Sequence, residues 1–123
     1  MADPTGSPPL LIGIDVGGTK IAGAVIEAPR EHTFTDVRVL AQSSRPARRG
    51  PDALIDDVAA LVNTLVAQLP PGSGTVAAIG IGTPGAVDET TGDVNDIANL
   101  AIGHVPLASA IRARYGMPVT VEN

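Results

Sequence analysis

The chain has 123 residues, 44% hydrophobic and 17% charged, with a formal net charge of −5 and no cysteine. That composition belongs to a globular chain of about one domain, and it excludes disulfide frameworks, zinc–thiolate sites and cysteine nucleophiles. Eight cations against thirteen acids, with 2% aromatics, supply neither the positive field nor the stacking rings that hold nucleic acid, and an anionic membrane surface is equally unsuited.

Residues 1–9 (MADPTGSPP) read as a flexible tail; they lack the cationic start of a signal peptide. No apolar run approaches the roughly 20 residues of a membrane span, so a cytoplasmic location is expected. The aliphatic run Leu10 to Val16 predicts a strand, Gly17-Gly18 a two-residue hairpin turn, and residues 20–26 its antiparallel partner. A third strand is expected over residues 34–41. The stretch 43–50 is rich in turn formers and holds Arg45, Arg48 and Arg49, which read as a solvated loop because three arginines fall short of a docking patch.

Residues 51–69 carry Leu54, Ile55, Val58, Leu61, Val62 and Leu65 at helical spacing. Asp52, Asp56 and Asp57 suit the positive end of that helix, Asn63 and Gln68 show no chemistry of their own, and Pro70-Pro71-Gly72 ends it. A fourth strand follows over residues 75–81. Residues 82–103, dense in Gly, Asp, Asn and Thr, predict a long loop with a short hairpin near residues 90–93. A second helix is expected over 106–115, stopped by Gly116, and a last strand begins at Pro118. Three strands, helix, strand, helix, strand (βββαβαβ) imply an α/β fold with a mixed sheet.

Chemistry concentrates in Gly13-Ile14-Asp15-Val16-Gly17-Gly18-Thr19-Lys20. Two glycines at a hairpin tip allow positive φ and leave backbone N–H groups open to phosphate oxygens. Thr19 adds a hydroxyl, Lys20 is the only lysine, and Asp15 at the strand end is placed to hold magnesium beside those phosphates. A plain Gly-Gly turn with surface residues around it accounts for the same letters. The stretch is not a P-loop, because Thr-Lys stands where Lys must precede Ser or Thr, and no helix follows. Gly80-Ile81-Gly82-Thr83-Pro84-Gly85 fits the dinucleotide fingerprint, yet Pro84 and the turn formers after it replace the helix that fingerprint needs. His32 and His104 lie in no cysteine cluster and read as solvent or packing residues. Asp88, Glu89 and Asp93 do not have the spacing of an EF-hand.

The hairpin resembles the phosphate-binding hairpin of the actin-like, hexokinase-type ATPases, and its DVGGTK form is similar to the ROK family of bacterial sugar kinases and repressors. Three further stretches agree in order and spacing: Gly80 to Gly85 with Val87-Asp88, Asn99-Leu100, and Pro118 to Asn123. The resemblance implies a ribonuclease H-like (actin-like ATPase) lobe over residues 10–123, cut before its next helix and lacking a second lobe. It implies ATP and Mg2+ as cofactors, with Gly13, Asp15, Gly17, Gly18, Thr19 and Lys20 at the phosphates and the metal. Gly85, Asn99, Glu122 and Asn123 would line the sugar pocket. In the family pattern Glu-Asn is followed by the Asp that serves as general base, so no catalytic base is expected within the chain and the isolated piece is expected to be inactive. The family's His and Cys zinc motif is absent here; a structural Zn2+ would belong to the missing lobe. The whole protein is expected to phosphorylate a hexose or an N-acetylated amino sugar as a homo-oligomer. The alternative is a sugar-responsive repressor lobe without catalysis, although only nine residues precede Leu10 where such proteins carry a helix-turn-helix.

Overall fold

The structure, a computed structural model, describes residues 8–28 and 37–123. The expectations for residues 1–7, for His32 and for residues 34–36 lie outside the described residues. In chain order the elements are β1 (Leu10–Val16), β2 (Lys20–Glu27), β3 (Val39–Pro46), α1 (Pro51–Ala67), β4 (Val76–Gly82), β5 (Ala86–Val87), β6 (Val94–Ile97), a 3-10 turn (Ala98–Leu100), β7 (Ile102–Val105), α2 (Leu107–Tyr115) and β8 (Val119–Glu122).

Five strands form one mixed sheet in the order β3-β2-β1-β4-β8. β1 pairs antiparallel with β2, and β2 with β3, while β1 with β4 and β4 with β8 run parallel. Alternation along the strands sends Leu10, Ile12, Ile14 and Val16 of β1, Ile21 and Val25 of β2, Ile79 and Ile81 of β4, and Val119 and Val121 of β8 to one buried face. Both helices cover that face. From α1 come Leu54, Val58, Leu61, Val62 and Leu65, from α2 Leu107 and Ile111, all at most 1% exposed. Each such side chain contributes roughly 1.5–3 kcal/mol by leaving water, so the helix stripe is the main source of cohesion. Gly23 of β2 keeps this layer close: a Cβ there would stand 2.8 Å from Ile14 Cδ1 and 3.0 Å from Leu65 Cδ1.

Helix ends follow local chemistry. Pro51 opens α1 at its first position, where a missing N–H costs nothing. Gly116 closes α2 in the left-handed region (φ 66°) with its N–H on Arg112 O at 2.8 Å, as the sequence predicts. The helices are also tied together. The Tyr115 hydroxyl lies 2.8 Å from both Ala59 O and Asn63 Oδ1, giving Asn63 a role that the sequence does not reveal.

Four expectations need correction. The third strand is displaced, running to Pro46, so the polar stretch from Ser43 is strand and not turn. Pairing of Gly23 with Ser43 and of Lys20 with Pro46 completes the β2 ladder, and backbone pairing there outweighs poor strand propensity. Pro9, expected within a flexible tail, is held: its O accepts the Ala28 N–H at 2.8 Å and joins the β1–β2 pair. The long loop is instead a second sheet, β5-β6-β7, entirely antiparallel, with Val94, Ile97, Leu100, Ile102 and Val105 buried. Its β5–β6 hairpin spans the predicted turn, where Asp88 Oδ1 accepts the N–H groups of Thr90 and Thr91 at 2.8 and 3.2 Å. Arg45 and Arg48 are not merely solvated; they engage a buried carboxylate described below.

Candidate functional site

The ends of β1, β4 and β8 and the β1–β2 hairpin meet at one end of the large sheet. The hairpin closes through Gly17 N–H to Lys20 O at 2.9 Å. Neither Gly17 nor Gly18 adopts positive φ, contrary to expectation. They are needed for clearance. A Cβ at position 17 would stand 2.8 Å from Lys20 O, and one at 18 would stand 2.8 Å from Asn99 Nδ2. Among the described residues no backbone carbonyl receives the N–H of Gly18 or Thr19, so the tip presents donors to whatever approaches it. On its other side the tip is held by Ala47 N–H, which donates to Thr19 O at 3.0 Å.

Asp15, Gly82 and Glu122 lie in one cross-strand row, Asp15 beside Gly82 and Gly82 beside Glu122. All three face away from the helices, and Asp15 and Glu122 are exposed. With no side chain at Gly82, two carboxylates flank an open position. Magnesium takes one or two carboxylates alongside phosphate oxygens and its own waters, so this donor set fits it. Among the described residues no three His, Asp or Glu side chains gather into a metal site by themselves. Lys20 and Asp15, with Gly13, Ser44 and Gly80, line a shallow depression of about 640 Å³ on the same open face.

Gly85 follows β4 at φ 97°, where a Cβ would lie 2.6 Å from Asn95 O. Its carbonyl receives the Asn123 side-chain amide. The Thr83 N–H donates to Glu122 O at 2.9 Å, so two hydrogen bonds fasten the 83–85 bend to the end of β8. Gly85, Glu122 and Asn123 are thus brought together. Asn99 sits elsewhere, in the 3-10 turn against Gly18, two residues after Ile97, whose side chain lies beside Gly85. After Gly85 the chain enters β5 and no helix, which removes the dinucleotide fingerprint. His104 is exposed on β7, its Nδ1 at 2.9 Å from Asn95 Oδ1 and its Nε2 at 3.3 Å from Asp93.

Sequence reasoning missed the buried carboxylate of Asp57, 0% exposed on α1. Asp57 Oδ2 accepts the Arg48 backbone N–H at 3.1 Å, and Oδ1 receives Arg48 Nε at 3.0 Å and Nη2 at 2.9 Å, with Arg45 Nη2 at 3.4 Å. Hydrogen bonding and charge from Asp57 raise the Arg48 pKa above its ordinary value. The signal was present: Asp57 is three residues after Leu54 and four before Leu61, within the apolar stripe and not on its polar rim.

Comparison with known proteins identifies the family and the fold. The ROK family model matches residues 11–123. The chain belongs to the ROK family. A glucokinase of Streptomyces coelicolor is 32% identical over 114 residues, covering 93% of this chain and 32% of that protein. The crystal structure of a ROK family glucokinase from Streptomyces griseus, in complex with glucose and AMPPNP, superposes with a TM-score of 0.71 at 34% identity, over 93% of this chain and 33% of that one. A ROK family transcriptional regulator, a homologue of the E. coli MLC protein, shares the fold at TM-score 0.72 and 23% identity, over 93% of this chain and 27% of that one. This ROK chain therefore spans about a third of the length of the relatives it matches, and its mixed sheet is that of the actin-like ATPase fold. No helix among the described residues is long and apolar enough to cross a membrane.

Proposed function

We propose that this chain is the phosphate-binding lobe of an ATP-dependent sugar kinase of the glucokinase type. The observation that carries the reading is the β1–β2 tip: two glycines kept bare by close neighbours, with unpaired N–H groups beside Asp15 and Lys20. Gly18, Thr19 and Lys20 would contact the triphosphate, and Asp15 would hold Mg2+, whose charge neutralises phosphate oxygens when bound. Gly17 closes the turn that aims these groups, and Gly13 lines the depression beside them. The Gly85 bend, Glu122 and Asn123, with Asn99 set apart in the 3-10 turn, would meet sugar hydroxyls through carboxylate, amide and backbone groups that reject apolar rivals by being left unpaired. Likeness to a Streptomyces glucokinase crystallised with glucose and the ATP analogue AMPPNP supports this assignment.

The fold shared with a transcriptional regulator supports a second reading, a sugar-sensing lobe without catalysis. A coupled assay on the full-length protein with glucose, N-acetylglucosamine and N-acetylmannosamine separates the two. The kinase reading expects turnover of one of these sugars, and loss of at least about a hundredfold in kcat on Asp15→Ala with sugar binding retained. Sugar binding with no turnover in the wild type, or turnover untouched by Asp15→Ala, would overturn it.

A further inference from the structure

We propose that Asp57 is a positioning residue, acting through the strap between β3 and α1 to set the phosphate hairpin and the Asn99 turn against each other. Asp57 holds the middle of that strap by both carboxylate oxygens, through the backbone and guanidinium of Arg48. The flanking residues reach outward in two directions. Ala47, just before Arg48, donates its N–H to Thr19 O in the hairpin at 3.0 Å. Gly50, two residues later, donates to Leu100 O in the 3-10 turn at 2.7 Å. Across the gap these bonds close, the Asn99 amide fills the space that a Cβ at Gly18 would need, 2.8 Å from where that atom would stand.

The carboxylate matters because it must accept on two oxygens at once. An amide of the same shape offers a single acceptor and turns an N–H2 toward one of the arginine donors. Full burial makes the pairing obligatory, since a charge taken out of water and left unpaired is strongly unfavourable. α1 itself is fixed by its apolar stripe, so the strap gains a rigid anchor at Arg48, between the end of the β2–β3 ladder and the start of α1. Function follows on the kinase reading above: nucleotide and sugar sites share one brace, and loosening it weakens both together.

Amide hydrogen exchange of the 123-residue chain tests the brace without nucleotide or sugar, so its failure is distinct from failure of the kinase reading. In D57N the Ala47 and Gly50 amides are expected to exchange about tenfold faster or more, as for loss of a charge-assisted hydrogen bond, while Leu61 of α1 and Ile12 of β1 keep their protection. The Asn99 side-chain amide resonances should shift in the same variant. Unchanged exchange at Ala47 and Gly50, movement of only one of them, or uniform acceleration of all amides would each overturn the proposal, the last by showing a merely structural role. If D57N does not fold, R48M decides instead: it alters an exposed side chain and removes both guanidinium bonds to Asp57 Oδ1, while Asp57 keeps Arg45 and the Arg48 backbone N–H. With half of the anchor gone, the Ala47 and Gly50 amides are expected to accelerate together by a smaller factor; unchanged exchange, or movement of only one of them, would overturn the proposal.

Discussion

Replacing Gly85 by alanine strikes the point where β4 hands the chain to the small sheet. Two costs add. At φ 97° a side chain occupies backbone space that L residues rarely enter, which costs about 1–3 kcal/mol. The new Cβ would also stand 2.6 Å from Asn95 O, a backbone atom held by the pairing of Ala86 with Asn95, and 3.1 and 3.2 Å from Ile97 and Val94. Relieving that overlap costs a further ~1–3 kcal/mol. The sum, roughly 2–6 kcal/mol, is a large share of the 5–15 kcal/mol typical of a domain and corresponds to a fall in Tm on the order of 10–20 °C. Urea unfolding read by circular dichroism measures it. Gly103→Ala in β7 is the control, having no atom within 4 Å of its added Cβ and no left-handed φ, and it should be neutral or stabilising by about 0.4–1 kcal/mol. Gly85→Ala within about 1 kcal/mol of wild type, or a Gly103→Ala variant equally damaged, would refute the reasoning.

Two further outcomes are expected. Gly18→Ala meets only the movable end of Asn99, so unfolding free energy should change by less than about 1 kcal/mol, while calorimetric titration of the full-length protein with AMPPNP and Mg2+ should show affinity down about tenfold or more. Burial pushes the Tyr115 phenol above its ordinary pKa of 10.0, with Arg114 partly opposing it. A phenol that keeps its proton more tightly in the folded chain stabilises it fully below pH 10, and that contribution is lost as pH rises through the folded value. The stability difference between wild type and Tyr115→Phe should therefore shrink in alkaline urea titrations; a constant difference up to the alkaline limit would remove the buried-phenol explanation.

The large sheet and both helices were legible because their buried faces repeat with clean periods: Leu10, Ile12, Ile14 and Val16 by twos, Leu54, Val58, Leu61 and Leu65 by threes and fours. The small sheet was not. Its strands have two to four residues, and along β6 and β7 the buried residues fall three apart, Val94 with Ile97 and Ile102 with Val105, a spacing that breaks the strand alternation and is too short to establish any period. Left-handed Asp96 (φ 60°) and Ala101 (φ 54°) interrupt the pattern there, and nothing in an alanine announces such a backbone. The site shows the same division. Gly17 and Gly18 were recognisable as a tip, but the reason for both, contact with Lys20 O and with Asn99, is tertiary. Asp57 looked like a helix-dipole residue because it sits near the N-terminus; only its partners across the strap reveal its role.

The strand order leaves β3 and β8 as the two free edges of the large sheet, and each is unsuited to recruiting another strand. β3 is polar from Gln42 to Arg45 and ends in Pro46, which has no N–H to offer an incoming backbone. β8 is four residues long, alternating buried Val with exposed Thr120 and Glu122. The face turned away from the helices carries Gly13, Ala22, Ala24, Ala78 and Gly80 beside half-buried Leu11 and Ile26, and among the described residues the exposed large apolar side chains are Val37, Val39 and Val66. Short edges, a carboxylate and a proline are the devices that discourage edge-to-edge association. Aggregation resistance is thus written into the same strands whose ends hold the phosphate hairpin, and a substitution of Pro46 by valine would open the edge next to Lys20.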